Sequence, residues 1–281
     1  MTAAFLAIDM GMTNIDLVLE NHQGVSKVML SNQRGDPINQ VQQALTAVSD
    51  QLTEDTRIAV TGGRYRDLPD HVGDRRLIKI DEMRSLGLGG LVSSGLESGL
   101  VVSAGTGTAM VAADRLSVKH VTGSAVGGGT LMGLSNFLLN TIDPVEIDQL
   151  AIAGDASKVD IMLDEAVGGQ VGRLPAHANA VNLGKLARSG DFSREDLAAG
   201  LVRLVAQVTA VIAINAANAS NRDQIIMVGH MMDMPSFCRE INLVGEFYQK
   251  TFNIPGEPGY ATALGALAML KETEPNTRSA S

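Results

Sequence analysis

The sequence predicts an α/β protein made of two similar halves, and three observations predict it. Apolar strand-like runs alternate with helical runs through the second half of the chain, the pattern of a sheet covered by helices. A strand, a turn of Gly, Thr and small residues, and a second strand occur twice, as "FLAIDMGMTNIDLVL" at 5–19 and "LVVSAGTGTAMVA" at 100–112. The chain has 281 residues, 45% of them hydrophobic, so each half can bury a core without staples. The expected division is 1–95, 96–271 with a closing helix, and a polar, unstructured tail at 272–281.

The elements follow in order. "AAFLAIDMGMTNIDLVLEN" reads as strand, tight turn, strand, and "KVMLSN" as a third strand. "DPINQVQQALTAVSDQL" opens with Asp-Pro, an N-cap followed by proline in the first turn, and continues at helical spacing. "RIAVTGG" is a buried strand ending in a glycine turn, and "LIKIDEM" a short strand that places Asp81 and Glu82 on opposite sides. "RSLGLGGLVSSGL" reads as a closely packed helix. After the second hairpin come "GSAVGGGTLMGLSNFLL", a glycine loop opening a helix, and the helices "DPVEIDQLAIAG" and "SREDLAAGLVRLVAQVTAVIAINAANAS". "QIIMVGHMM" is a strand, "NLVGEFYQKTF" a helix, and "YATALGALAMLKE" a small-residue helix that closes the fold.

Charge and composition narrow the function. The net charge of −9, with no basic stripe, argues against nucleic acid and anionic membranes. It leaves an anionic small ligand open, because backbone N–H groups hold phosphates without net positive charge. A single cysteine, Cys238, excludes a disulfide framework and a cysteine zinc site. The start "MTAAFLAIDMG" does not read as a signal peptide, and a cytoplasmic protein is expected. The apolar run containing Arg203, Gln207 and Asn215 reads as a buried helix rather than a membrane span.

Three turns are candidate phosphate contacts: Gly11–Thr13, Gly105–Thr108 and the loop Gly127–Thr130. Glycine lets a backbone approach a ligand closely, and a helix start presents free N–H groups and a positive dipole end. A split nucleotide site would use one turn from each half. No Walker A pattern occurs, and no G-x-G-x-x-G follows a strand.

In these residues the chain resembles the actin-like ATPase superfamily (ribonuclease H-like fold), and within it the type II (eukaryotic-type, fumble) pantothenate kinases. The matching segments are "DMGMT", "VTGG", "KIDEM", "AGTGT", "GGGTLMGLSNFLL", "IIMVGHM" and "ALGALAML", spread over nearly the whole chain. The resemblance implies two half-domains with a nucleotide cleft between them, ATP with Mg²⁺, coenzyme A biosynthesis, and transfer of the γ-phosphoryl to a primary hydroxyl. It implies Glu82 as the base that takes the acceptor proton, and Asp9 facing Mg²⁺ and phosphates. Gly11, Thr13, Gly105, Gly107 and Thr108 would meet phosphate oxygens. Gly127, Gly128, Gly129 and Thr130 would approach phosphate and ribose, Gly229 would pass beneath the adenine, and Ser103, His120 and Glu82 would contact the acceptor. A homodimer is also implied, with the helix at 199–219 as a candidate interface.

Three positions depart from the family pattern. Met12 replaces the second glycine of D-x-G-G-T, Asp16 replaces a lysine, and His120 replaces a substrate-binding arginine. Reversing a charge beside phosphates changes a Coulomb term of about 4 kcal/mol at 4 Å and intermediate dielectric, and His cannot copy a bidentate guanidinium. Two alternatives therefore stand: a kinase for a different acceptor alcohol, or a non-catalytic nucleotide-binding homodimer. "GMTNID" also resembles the start of the hydantoinase/oxoprolinase family. His22, His71 and His177 lack metal spacing, His230 and Cys238 read as structural, and Met231, Met232 and Met234 as packing.

Overall fold

The computed structural model describes residues 4–32, 35–188 and 190–273; the expected tail falls outside them from 274 onward. In chain order the elements are β1 (Phe5–Met10), β2 (Asn14–Asn21), β3 (Gly24–Ser31), α1 (Pro37–Ala47), β4 (Arg57–Gly62), β5 (His71–Val72), β6 (Arg75–Lys79), α2 (Glu82–Ser94), β7 (Ser98–Ala104), β8 (Thr108–Asp114), β9 (Val118–Ser124), α3 (Gly128–Leu139), α4 (Pro144–Ala153), β10 (Ile161–Met162), α5 (Leu163–Val167), β11 (Asn179–Val181), α6 (Arg194–Ala219), β12 (Ile225–Val228), α7 (Pro235–Tyr248), β13 (Phe252–Asn253) and α8 (Ala261–Glu272). They form two compact units. The first takes in Met1–Val101, Val111–His120 and Pro255–Ser281, the second Val102–Met110 and Val121–Ile254.

The first unit is built on a sheet of order β3-β2-β1-β4-β6-β5. β1 pairs antiparallel with β2 and parallel with β4. Strand periodicity splits the side chains between two faces. Leu6, Ile8 and Met10 of β1 join Ile15, Leu17 and Leu19 of β2 against Val41 and Ala44 of α1. The alternate residues Phe5, Ala7 and Val18 pack with Ala263, Ala266 and Leu267 of α8. The closing helix, expected with the second half, thus groups with the first. Its fit to α2 explains why. A Cβ on Gly89 would overlap the Ala261 carbonyl, and one on Gly265 would overlap the Ser85 carbonyl. Backbones this close require glycine on both helices.

The second sheet has the order β13-β12-β7-β8-β9. Read from its third strand it is third, second, first, then two later strands, as in the first sheet once the short β5 is set aside. The duplicated hairpin in the sequence is therefore a duplicated sheet order. The long helix α6 is long and apolar enough to cross a membrane by length and composition, yet two-thirds of its most apolar window is buried in the protein. Fourteen of its residues, from Leu197 to Ala217, are buried. It is a core helix, which leaves little of it for the subunit interface suggested above. Its Arg203 is held by Asp160 at 3.3 Å and Glu240 at 2.9 Å.

Candidate active site

The first unit carries the carboxylates. Asp9, half-buried, is the last residue but one of β1, and the turn Gly11–Thr13 follows. The turn is braced from β3: Asn32 donates from its side chain to the Gly11 carbonyl at 2.6 Å and from its backbone to the Thr13 carbonyl at 2.8 Å. Gln40 of α1 in turn donates to Asn32 Oδ1 at 2.9 Å. Met12 and Thr13 are exposed at the tip. Gly62, at the end of β4, has φ of +98°, and a Cβ there would lie 2.7 Å from Asp9 Oδ1 and 2.6 Å from the Met10 backbone. The second letter of the "TGG" turn is thus glycine because Asp9 and β1 pass against it.

Glu82 is the first residue of α2. The strand expected to carry it ends three residues earlier, at Lys79, and Asp81 is instead the N-cap of the helix, accepting from the Arg84 N–H at 3.0 Å. Asp81 and Glu82 are therefore not strand neighbours on opposite faces. An aspartate N-cap satisfies a free N–H at the helix start, which wins over a short strand extension. Asp81 also meets Tyr65 Oη at 3.4 Å and Arg66 at 3.3 Å. Burial pushes the Glu82 carboxyl above the ordinary carboxylate range; Asp81 adds to the shift and Arg66 opposes it. A half-buried carboxylate raised in this way holds its proton to higher pH than an exposed one.

The second unit brings together the glycine turns. The β7–β8 turn holds Gly105, Thr106, Gly107 and Thr108, and the start of α3 docks on it. Gly128 N–H donates to the Gly105 carbonyl and Gly129 N–H to the Thr106 carbonyl, both at 2.8 Å. These two N–H groups, expected to face phosphate, are spent on joining the loop to the turn. A Cβ on Gly127 would lie 2.8 Å from the Thr106 carbonyl and 2.9 Å from Gly107, and one on Gly129 2.9 Å from Thr106 Cγ2. Thr130 Oγ1 donates to the Ala125 carbonyl at 3.1 Å and accepts from Gly127 N–H at 3.4 Å. Thr108, buried, donates its hydroxyl proton to the Val126 carbonyl at 2.9 Å. It is a brace, not the phosphate donor expected from the sequence.

Gly107 differs from its neighbours. It is exposed, its φ is not positive, and a Cβ there would find only the Ser124 carbonyl at 3.4 Å. Thr106, half-buried beside it, sits at the tip of the turn. Gly229 has φ of +96°, and a Cβ would lie 2.6 Å from the Ala104 carbonyl, so this glycine lets the end of β12 close on β7. Met231 packs beside Gly128, and His230 Nδ1 lies 2.7 Å from Asp233 Oδ2. Ser103 is half-buried on β7, and His120 is exposed on β9. None of Thr61, Tyr65 and Arg66 stands out in the sequence, and Thr106 enters only as part of the Gly105–Thr108 turn. Thr106 was legible as the other threonine of "AGTGT"; Arg66 belongs to no motif. A cavity of about 610 Å³ by Gly154, Arg203 and Arg239 lies away from all these residues in sequence, and its Arg203 is already ion-paired.

The comparisons with known proteins bear on the fold and the family. A type II pantothenate kinase of Oceanobacillus iheyensis is 25% identical over 269 residues, 93% of this chain and 98% of that protein. Among solved structures, the activator of 2-hydroxyisocaproyl-CoA dehydratase from Clostridium difficile, with bound ADPNP, superposes with a TM-score of 0.66 at 16% identity over 99% of both chains. A ROK family glucokinase from Streptomyces griseus, in complex with glucose and AMPPNP, gives 0.62 at 12% identity over 96% of this chain and 99% of that one. These show the actin-like ATPase fold. The model of the Fumble family matches residues 99–269, which span the second hairpin, the glycine loop and the closing helix, and the chain belongs to that family.

Proposed function

We propose that the protein is an ATP-dependent kinase that transfers the γ-phosphoryl group to a primary alcohol of the pantothenate class. The observation that carries this is Glu82, a half-buried carboxylate at the start of α2 with its proton affinity raised by burial. Phosphoryl transfer needs positioning, neutralised charge and an acceptor for the alcohol proton. Glu82 takes that proton. The exposed Gly107 and the half-buried Thr106 let the nucleotide phosphates approach the β7–β8 turn, while Gly127–Thr130 and Thr108 hold that turn in shape. Gly11 and Thr13 form the corresponding turn beside Asp9. Asp9 fits Mg²⁺: its carboxylate points along the end of β4, where Gly62 leaves room for it. The ion, when bound, neutralises phosphate charge.

We infer that acceptor recognition differs from that of a standard pantothenate kinase. His120 stands exposed on β9, where the family pattern has a charged clamp. Pantothenate turnover is therefore slow, and a related alcohol is the better acceptor. We also propose a homodimer through α3 and α4, which expose Phe137, Ile142 and Val145 between and along them.

The test is Glu82→Gln in a coupled ADP-release assay with pantothenate and a panel of primary alcohols. The amide should keep ATP affinity and lose a factor of about 10²–10⁴ in rate. A variant that retains more than about a tenth of the rate refutes Glu82 as the base.

A further inference from the structure

Arg66 lies in the turn Tyr65–Asp67 that follows β4, and it reaches the start of α2. Its guanidinium is tied to two groups that are themselves fixed. Nε donates to Tyr65 Oη at 3.0 Å and Nη2 to Asp81 Oδ2 at 3.3 Å. Tyr65 is buried, and its hydroxyl donates to the same Asp81 oxygen at 3.4 Å. The other Asp81 oxygen caps α2 through the Arg84 N–H. The cation also lies over the Tyr65 ring, 5.3 Å from its centre. An exposed arginine with one ion pair gains little and keeps many rotamers. Here a closed ring of hydrogen bonds and an aromatic contact hold one orientation, although 77% of the side chain is open to solvent. Nε and Nη2 share one edge of the planar group, so those bonds occupy that edge. The remaining donors, at the Nη1–Nη2 end, form a second fork, and Nη1 has no hydrogen-bond partner among the described residues. Such a fork takes a carboxylate through two parallel bonds.

The place of this fork gives it a use. Asp81 and Glu82 put two carboxyl groups at the start of α2, and Arg66 is the cation whose charge acts on Glu82. An anionic acceptor brought to Glu82 meets like charge unless a cation accompanies it. We propose that Arg66 determines acceptor specificity by binding the carboxylate of a hydroxy acid whose alcohol lies at Glu82. This rests on the kinase reading for where the acceptor lies; carboxylate binding itself needs no turnover. The preferred acceptor is then an acid whose carboxylate reaches Arg66 rather than residue 120, where His120 replaces the family's arginine. Tyr65 and Asp81 act as positioning residues, because they aim the fork without touching the acceptor.

The experiment measures acceptor binding to the full chain by calorimetry, with a non-hydrolysable ATP analogue present, and ADP release with ATP. The probes are pantothenate and hydroxy acids of shorter chain, each beside its neutral amide. The wild type should bind at least one acid about tenfold or more tightly than its amide. Arg66→Gln should weaken that acid by roughly 10- to 150-fold, the value of a hydrogen bond between charged groups, and leave the amide unchanged. Arg66→Lys, which keeps the charge and loses the fork, should fall between the two, and it decides the matter if Arg66→Gln does not fold. A wild type that binds every acid no better than its amide overturns the proposal. So does an Arg66→Gln or Arg66→Lys protein with the full wild-type preference. Equal loss of acid and amide binding in Arg66→Gln would make Arg66 only a brace for Asp81, and would also overturn it. Preferential binding of an acid with no ADP release from any alcohol would defeat the kinase reading and leave the role of Arg66 standing. ADP release with no preference for any acid would do the reverse.

Discussion

Replacing Gly107 by valine should weaken ATP binding and leave the fold intact, whereas Gly127→Ala should do the opposite kind of damage. Gly107 has no positive φ, and a Cβ meets only the Ser124 carbonyl, at contact distance of 3.4 Å. The substitution should therefore change stability by no more than about 1 kcal/mol, or roughly 2–4 °C in a chain of this size. The ligand is affected far more. A phosphate oxygen held by a backbone N–H sits at about 2.9 Å from the nitrogen, and two methyl groups at Cβ displace it. Losing one hydrogen bond to a charged oxygen costs about 1.5–3 kcal/mol, which is roughly 10- to 150-fold in affinity. At Gly127 the Cβ would instead lie 2.8–2.9 Å from the backbone of Thr106 and Gly107. Overpacking against backbone costs about 1–3 kcal/mol, a fall of roughly 2–12 °C. Calorimetry with a non-hydrolysable ATP analogue, paired with thermal melting of both variants, separates the two effects. A folded Gly107→Val protein with wild-type affinity would refute the assignment of this turn to phosphate, and a Gly107→Val protein that melts like Gly127→Ala would refute the geometry behind it.

Three other outcomes are expected. His120→Arg should raise kcat/KM for pantothenate by roughly 30- to 150-fold, the value of about 2–3 kcal/mol for one charged contact; wild-type turnover at about 1 s⁻¹ or faster would show that His120 is no handicap. Glu82→Gln should raise the melting temperature at pH 7, and the gain should shrink as the pH falls toward 5. The folded carboxyl has its pKa raised above the ordinary 4.5. Its contribution to stability is thus full below 4.5 and lost as pH rises through the folded value, so a neutral amide avoids that loss. In the active enzyme the same shift should move the acid limb of kcat/KM above the ordinary carboxylate range, and an acid limb at or below 4.5 would contradict it. Gly265→Ala should destabilise by about 3 kcal/mol or more, because its Cβ would overlap the Ser85 carbonyl across the α2–α8 contact; denaturant melts that match the wild type would show that the helices can separate without cost.

Much of this protein is written locally. The two hairpins, the proline-led helices and the glycine punctuation depend on neighbours in the chain, so the order of elements and the doubled architecture were legible from residues alone. The Gly/Thr turns stand out for the same reason, as short segments that each form one turn, whereas Asp9 and Glu82 were singled out only through the family resemblance. What the sequence could not decide were pairings between distant segments. Nothing local says that Gly128 and Gly129 spend their N–H groups on Gly105 and Thr106, or that Thr108 gives its proton to Val126. Those partners are 18–23 residues apart along the chain and meet only when α3 docks on the second hairpin. The closing helix joined the first unit because its small residues match the glycines of α2, far upstream. Asp16 read as an isolated charge reversal until strand register set it against Asp9 and Thr61. Register is a tertiary quantity: a shift of one residue would have turned the same aspartate to the other face of the sheet.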